Sequence, residues 1–331
     1  MVKVALAGGA GNVGQEVQDA LLARGKHEIL ILSRRDAPTK TLSPGVQWFK
    51  TSYDDVDQLS GALEGVHTVL SFATGPGDPA DAALKNMQKV LIDASIKAGV
   101  KRFAPSEWAT SKFDHMFWYD FKGEVREYLA EVNKEKKVIE YSLFQPGLFT
   151  NYLTYPFPST KHVCLFETPI NFDKHRAIVP EGGEDAIFTL TTAQDFAKVV
   201  ALAVEYEGEW PVVGGIRGAR MTVGQVIALG EKIRGKPFEV TRLDPKDLEA
   251  RVFKAPWVPH VEHPSIPKES RDAISPRLFS GWLLGVSAGN FDISDDWNRR
   301  LPDFEFTQPE EFLATAWAAI DAGAKSVHTE Y

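Results

Sequence analysis

The feature that most restricts the fold lies at the start of the chain. Residues 2–7 (Val-Lys-Val-Ala-Leu-Ala) form a short apolar run that stops at Gly8-Gly9-Ala10-Gly11-Asn12-Val13-Gly14, and an amphipathic helical pattern follows over residues 13–22. Strand, glycine turn and helix in that order make a cradle for a pyrophosphate. The glycines allow a tight turn and a close backbone approach, and the helix start points unpaired N–H groups and a positive dipole end at the anion. Gly9-x-Gly11-x-x-Gly14 fits the dinucleotide fingerprint. Gly8, Gly11, Asn12, Val13 and Gly14 are therefore the expected pyrophosphate contacts.

The alternation continues through the first half. Strands are predicted at residues 28–33, 46–50, 66–72, 100–105 and 139–144, with helices at 13–23, 56–63, 80–98 and 120–133. Apolar strands alternating with helices predict an α/β Rossmann fold, a doubly wound parallel sheet buried on both faces. No 20–50-residue period repeats, which excludes a solenoid.

The texture changes after Gln145-Pro146-Gly147. Pro156, Pro158 and Pro169 interrupt the pattern, and residues 163–166 look strand-like. A helix is predicted at 192–205 with Asp195 in its first turn, strands at 211–213 and 238–243, and helices at 223–234 and 309–322. Residues 254–268, with Pro256, Pro259, Pro264 and Pro267, read as a loop or lid. Residues 1–153 thus read as a dinucleotide-binding domain to which about 185–215 return, and 154–331 as a smaller C-terminal α+β substrate domain.

Composition excludes several classes. The 331 residues carry a net charge of −8, which argues against a nucleic-acid surface. No apolar run reaches the roughly 18 residues that span a membrane. The chain opens directly on a strand, so no leader is expected. The single cysteine, Cys164, permits no internal disulfide, suits a reducing compartment and is expected to be buried. The expected location is the cytoplasm. Eight tryptophans and twenty phenylalanines leave aromatic rings for a pocket beyond those that pack the core.

The end of the second strand selects the nucleotide. An acid there binds the ribose 2′-hydroxyl, and an arginine accommodates a 2′-phosphate. The strand ends Leu32-Ser33-Arg34-Arg35-Asp36, which puts Arg34 at the phosphate position with Arg35 beside it and points to NADPH. Asp36, two residues on, is the competing ribose contact, and Lys40 is a further phosphate candidate. Phe72, Ala73 and Thr74 end the fourth strand, where small residues let the backbone lie against ribose and adenine.

Short-chain dehydrogenases, whose variant Gly8-x-x-Gly11-x-x-Gly14 also fits this turn, use Tyr-x-x-x-Lys on a helix. Here the position four before Lys122 is Trp118, and Tyr119 precedes Lys122 by three, so the dyad is absent. Four segments are nevertheless similar to the NmrA-like family, the atypical short-chain dehydrogenases that include isoflavone reductase-like enzymes. They are Gly8 to Gly14, Arg34 after the second strand, Gly99-Val-Lys-Arg-Phe-Ala-Pro105-Ser106-Glu107-Trp108, and Phe121-Lys122-Gly-Glu-Val-Arg126. The resemblance implies an NADPH-binding core, a smaller substrate domain and, in the reductase branch, a lone catalytic lysine. Lys122 holds that position, where the family's lysine binds the nicotinamide ribose and assists proton transfer. Pro146 and Phe149 match the place where the family sets backbone and an aromatic ring against the nicotinamide. The chain departs from the plant reductases at Trp108 and across residues 115–119, which shape the substrate end.

Two readings follow. In the first, NADPH delivers hydride to an aromatic or unsaturated small molecule at a conjugated C=C, C=O, C=N or benzylic centre. Trp108, Phe113, Phe117, Trp118, Tyr152, Tyr155, Phe157 and Trp257 are the expected pocket wall, and His115 a candidate acid at its mouth. In the second, the chain is a redox sensor that binds NADP(H) and acts through a protein partner; under either reading a monomer or a homodimer is expected. His260 and His263 lie between Pro259 and Pro264, outside any helix that would pair them, so no metal site is expected.

Overall fold

Strands β1 (Val2–Ala7), β2 (His27–Ser33), β3 (Val46–Lys50), β4 (Thr68–Ser71), β5 (Arg102–Ala104) and β6 (Glu140–Tyr141) form one sheet in the order β3-β2-β1-β4-β5-β6, parallel throughout. This computed structural model describes residues 2–73, 82–261 and 268–328, without the side chains of 82–85. The strand order reverses between β1 and β4. In such sheets the ligand crevice lies outside the carboxyl ends at that point.

Strand alternation divides the core. Val4 and Leu6 face helix α1 (Asn12–Arg24), whereas Ala5 and Ala7 face the layer of α2 (Val56–Ala62), α3 (Ala82–Lys97) and α4 (Asp120–Val132). Leu6, Leu21, Ile29 and Ile31 are fully buried, each contributing about 1.5–3 kcal/mol over an exposed position. Helix α1 ends where Gly25 takes φ +63°, a left-handed stop open to glycine without strain.

The second half builds smaller sheets from β7 (Leu143–Gln145), β8 (Leu148–Phe149), β9 (Ile170–Asn171), β10 (Arg176–Pro180), β11 (Ile187–Thr191), β12 (Val213–Gly215), β13 (Ala219–Thr222) and β14 (Glu239–Leu243). Their orders are β14-β10-β9, β13-β11-β8 and β12-β7. Helices α5 (Ala193–Glu205), α6 (Val223–Arg234), α7 (Pro245–Glu249), α8 (Arg271–Ser287), α9 (Asp296–Arg300) and α10 (Pro309–Asp321) surround them. Helix α5 is capped by Thr192, whose hydroxyl accepts from the Asp195 N–H, and packs across α1. No helix among the described residues is long and apolar enough to cross a membrane.

The structure departs from the sequence expectations in several places, with β10, β11, β13, α7 and α9 also unforeseen. The strand expected at 139–144 changes partner at Ser142. Strand β5 ends because Pro105 has no N–H for the ladder, and the Leu143 N–H turns to the Val212 carbonyl at 2.8 Å. Residues 163–166 are not a strand, since the His162 and Val163 N–H groups donate to the fully buried Glu16 carboxylate at 2.7 and 3.1 Å. This turns Cys164 outward, so it is exposed rather than buried. Helix α8 had no prediction. It carries Pro276 inside and buries Ser275, Phe279, Ser280, Leu283 and Val286 on more than one face, which leaves no stripe to read.

Candidate active site

The glycine turn sits at the carboxyl end of β1 as expected. Gly8 adopts φ +72°, and a Cβ there would come within 2.8 Å of the Ala73 backbone nitrogen after β4. A Cβ on Gly14 would lie 2.8 Å from the Gly9 Cα. Gly11 caps α1 without a side chain, so the first amides of the helix, on Asn12, Val13 and Gly14, have no intrahelical acceptor. The cradle therefore fits an anionic pyrophosphate in shape and in donors. Tyr53 braces it from below. Its buried hydroxyl accepts from the Gly8 N–H at 3.0 Å and donates to the Leu32 carbonyl at 2.6 Å. Burial raises the Tyr53 phenol well above its ordinary range, so it stays protonated.

Arg34 and Arg35 follow β2, both exposed. The Arg35 guanidinium donates to the Ala10 carbonyl at 2.9 Å, which folds it over the turn. The Arg34 charge reaches the Tyr53 phenol and partly offsets the effect of burial on it. Asp36, the competing ribose contact, is instead ion-paired with Lys50 at 2.7 Å, and Lys40 lies on an exposed loop. Phe72 and Ala73 are buried beside the turn, and Gln88 donates to the Ala73 carbonyl at 3.1 Å. Thr74 lies outside the described residues.

Lys122 opens the first turn of α4, after β5, and is only 6% exposed. Its Nζ donates to the Glu107 backbone carbonyl and stands over the Tyr119 ring, 4.1 Å from its centroid. Burial lowers the ammonium to about 8, the Glu107 carboxylate opposing this and the Arg126 guanidinium adding to it. In the sequence Glu107 and Arg126 stand out only as parts of motifs. In the structure they form a two-pronged pair, with Arg126 Nε and Nη2 at 3.0 and 2.6 Å from the two Glu107 carboxylate oxygens. Their separation of 19 residues gives no sequence signal.

Pro146 and Phe149 are buried after β7 and in β8. Phe149 leads to Tyr152, and the Tyr152 ring lies tilted against Phe166 at 4.3 Å, a residue that no sequence signal marks. Phe113, Phe117 and Trp118 cluster with Tyr119 ahead of Lys122. The other expected wall residues have partners of their own. Trp108 is half-buried, stacked between Phe72 (4.5 Å) and Phe144 (5.5 Å), with its indole N–H on the Ser71 carbonyl. Trp257 covers the Arg176 guanidinium at 3.8 Å, and Phe157 meets Trp317 edge-on. Tyr155 directly follows the short helical turn that carries Tyr152. His115 is exposed with φ +63°. His260 is half-exposed with its backbone N–H on Glu167, and His263 lies outside the described residues.

A depression lined by Lys26, His27, His67, Arg102 and Glu205 lies at the amino ends of the strands, opposite the glycine turn. Its charges neutralise one another. Glu205 binds Arg24, Lys26 and His27, and Arg102 binds Glu140 and the carbonyls of Tyr206 and Gly208. The ligand end of the sheet is the other one.

Comparison with known proteins agrees with this geometry. The profile of the NmrA-like family matches residues 2–276. The chain is 29% identical over 248 residues to oxidoreductase BOA1 of Botryotinia fuckeliana, covering 73% of this chain and 79% of that protein. Among solved structures it shares its fold with the NADPH-dependent quinone oxidoreductase QOR2 of Escherichia coli, crystallised with NADPH. That likeness has a TM-score of 0.66 and 19% identity, over 94% of this chain and 99% of that one. The triphenylmethane reductase of Citrobacter sp., crystallised with NADP(H), has a TM-score of 0.66 and 17% identity, over 95% and 99% of the two chains.

Proposed function

The chain belongs to the NmrA-like family, and we propose that it is an NADPH-dependent reductase that transfers hydride to an aromatic or unsaturated small molecule. One observation carries the reading. A buried lysine with a lowered pKa and a pyrophosphate-shaped glycine turn meet the carboxyl end of the same parallel sheet. In this reading the amides of Asn12, Val13 and Gly14 hold the pyrophosphate, while Gly8 and Gly11, whose own N–H groups bond within the protein, shape the turn around it. Arg34, with Arg35, takes the 2′-phosphate, Ala73 lies against the adenosine side, and Pro146 and Phe149 face the nicotinamide. NADPH supplies the hydride.

The protein supplies position and charge. An ammonium has three N–H donors. One goes to the Glu107 carbonyl, which leaves two for ribose hydroxyls or for a substrate oxygen. With a pKa near 8, Lys122 is mostly protonated at neutral pH yet close enough to it to release a proton. Its charge would stabilise negative charge growing on a carbonyl or enone oxygen as hydride adds. The rings of Phe113, Phe117, Trp118, Tyr119, Tyr152 and Phe166 supply a surface for a flat, conjugated acceptor. A quinone and a triphenylmethane dye, named for the two structural neighbours, are acceptors of that kind.

The test is turnover of NADPH against quinones, triarylmethane dyes, aromatic enones, imines and benzylic ethers. Substrate-dependent loss of NADPH absorbance supports the reading. Intact micromolar NADPH binding with no turnover across the panel replaces it with the redox-sensor reading.

A further inference from the structure

We propose that Glu107 and Arg126 are the positioning pair of Lys122, fixing where its ammonium stands and keeping it charged. This rests on the reading of Lys122 as the working residue, and the geometry behind it is independent of that reading. The backbone of Glu107 accepts the Lys122 Nζ hydrogen bond, and its side chain, 1% exposed, is gripped by Arg126 from the next turn of the lysine's own helix. Arg126 also donates to the carbonyls of Ser111 (2.9 Å) and Thr110 (3.4 Å), and its guanidinium lies 4.1 Å from the Phe113 ring centroid. One side chain thus ties residues 107–113 to α4 and closes a loop from Lys122 through Glu107 and back to Arg126.

The geometry has two consequences. The acceptor for Lys122 cannot drift, because a charge-assisted two-pronged pair holds the same residue from its other end. The buried carboxylate also provides the opposite charge that a desolvated ammonium needs. The charged and titratable groups acting on Lys122 are Glu107 from the loop after β5, Arg126 from α4 and Tyr119 from the turn before it. Tyr152 stands beyond Tyr119, and Cys164 beyond Tyr152. Only Glu107 favours the ammonium, and Arg126 by itself opposes it. The pair works as a unit, with Arg126 as the clamp and Glu107 as the counter-charge.

The experiment measures the Lys122 titration directly in the full chain without ligand. Trace acetic anhydride labels lysines across a pH series, and mass spectrometry of the Lys122 peptide gives its midpoint. Glu107→Gln should lower the midpoint by roughly one pH unit and Arg126→Gln should raise it. The double variant, which strands neither partner of the Glu107–Arg126 pair if either single change unfolds the protein, should fall between Glu107→Gln and wild type. Identical midpoints in the folded variants would overturn the proposal. A second readout is turnover, where Glu107→Gln should cut kcat about tenfold with little change in KM and move the loss of activity at high pH downward. A wild type that turns nothing over while the midpoints shift in this order refutes the reductase reading and leaves the positioning pair intact.

Discussion

The Lys122 ammonium stands over the face of the Tyr119 ring, 4.1 Å from its centroid. In a Tyr-x-x-x-Lys helix both polar tips face one ligand. Here the tyrosine is one residue nearer and offers the cation its π face.

We predict that the Tyr119 phenol is not the proton donor. Burial holds it up to about 12, out of reach of neutral-pH acid–base exchange. Removing a true general acid costs roughly 100-fold or more. Tyr119→Phe, which keeps the ring under the ammonium, should hold kcat within about threefold of wild type in steady-state assays.

Lys122 carries a stability cost with a definite pH window. Its folded pKa near 8 lies below the ordinary 10.5. The fold therefore disfavours the ammonium in full below pH 8, and the penalty fades as pH rises to 10.5. Lys122→Met should raise the unfolding free energy at pH 7 by about 1–3 kcal/mol in urea melts. That gain should vanish above the upper limit of the window.

Glu205 behaves in the opposite sense. Its hydrogen bond to Arg24 is the main cause that holds it at about 2, below the ordinary 4.5. Its stabilisation is present above pH 4.5 and lost as pH falls toward 2. The Arg24 side chain is 37% exposed, so solvent screens the pair. Glu205→Gln should destabilise the fold by about 1 kcal/mol at pH 7, with the difference closing in acid.

Cofactor choice tests the second strand. Arg34→Ala should weaken NADPH binding about 10–100-fold and NADH binding less than about threefold, read by fluorescence titration. Equal losses would reassign the 2′-phosphate contact, with Arg35 the next candidate.

Local pattern made most of the nucleotide half legible. The run from β1 through Gly8 to α1, the alternation up to β5, and the place of Lys122 early in α4 follow from periodicity and turn chemistry within about 15 residues. What escaped depends on contacts far apart in sequence. Tyr53 reaches Gly8 across 45 residues, and Arg126 reaches Glu107 across 19. The buried Glu16 redirects the backbone at Val163 and leaves Cys164 outside. The anchoring of Trp108, whose indole N–H bonds the Ser71 carbonyl and whose ring stacks between Phe72 and Phe144, likewise joins residues far apart in sequence. Helix α8, with Pro276 inside and burial on several faces, has no single apolar stripe for periodicity to find.

The most direct measurement is single-turnover transfer of deuterium from NADPH labelled at the nicotinamide C4 to an aromatic acceptor, comparing wild type with Lys122→Ala. Wild type should give a deuterated product, and the variant, with NADPH still bound, a transfer rate at least about 100-fold lower. Equal transfer rates in the two proteins, or an acceptor reduced without deuterium, would contradict it.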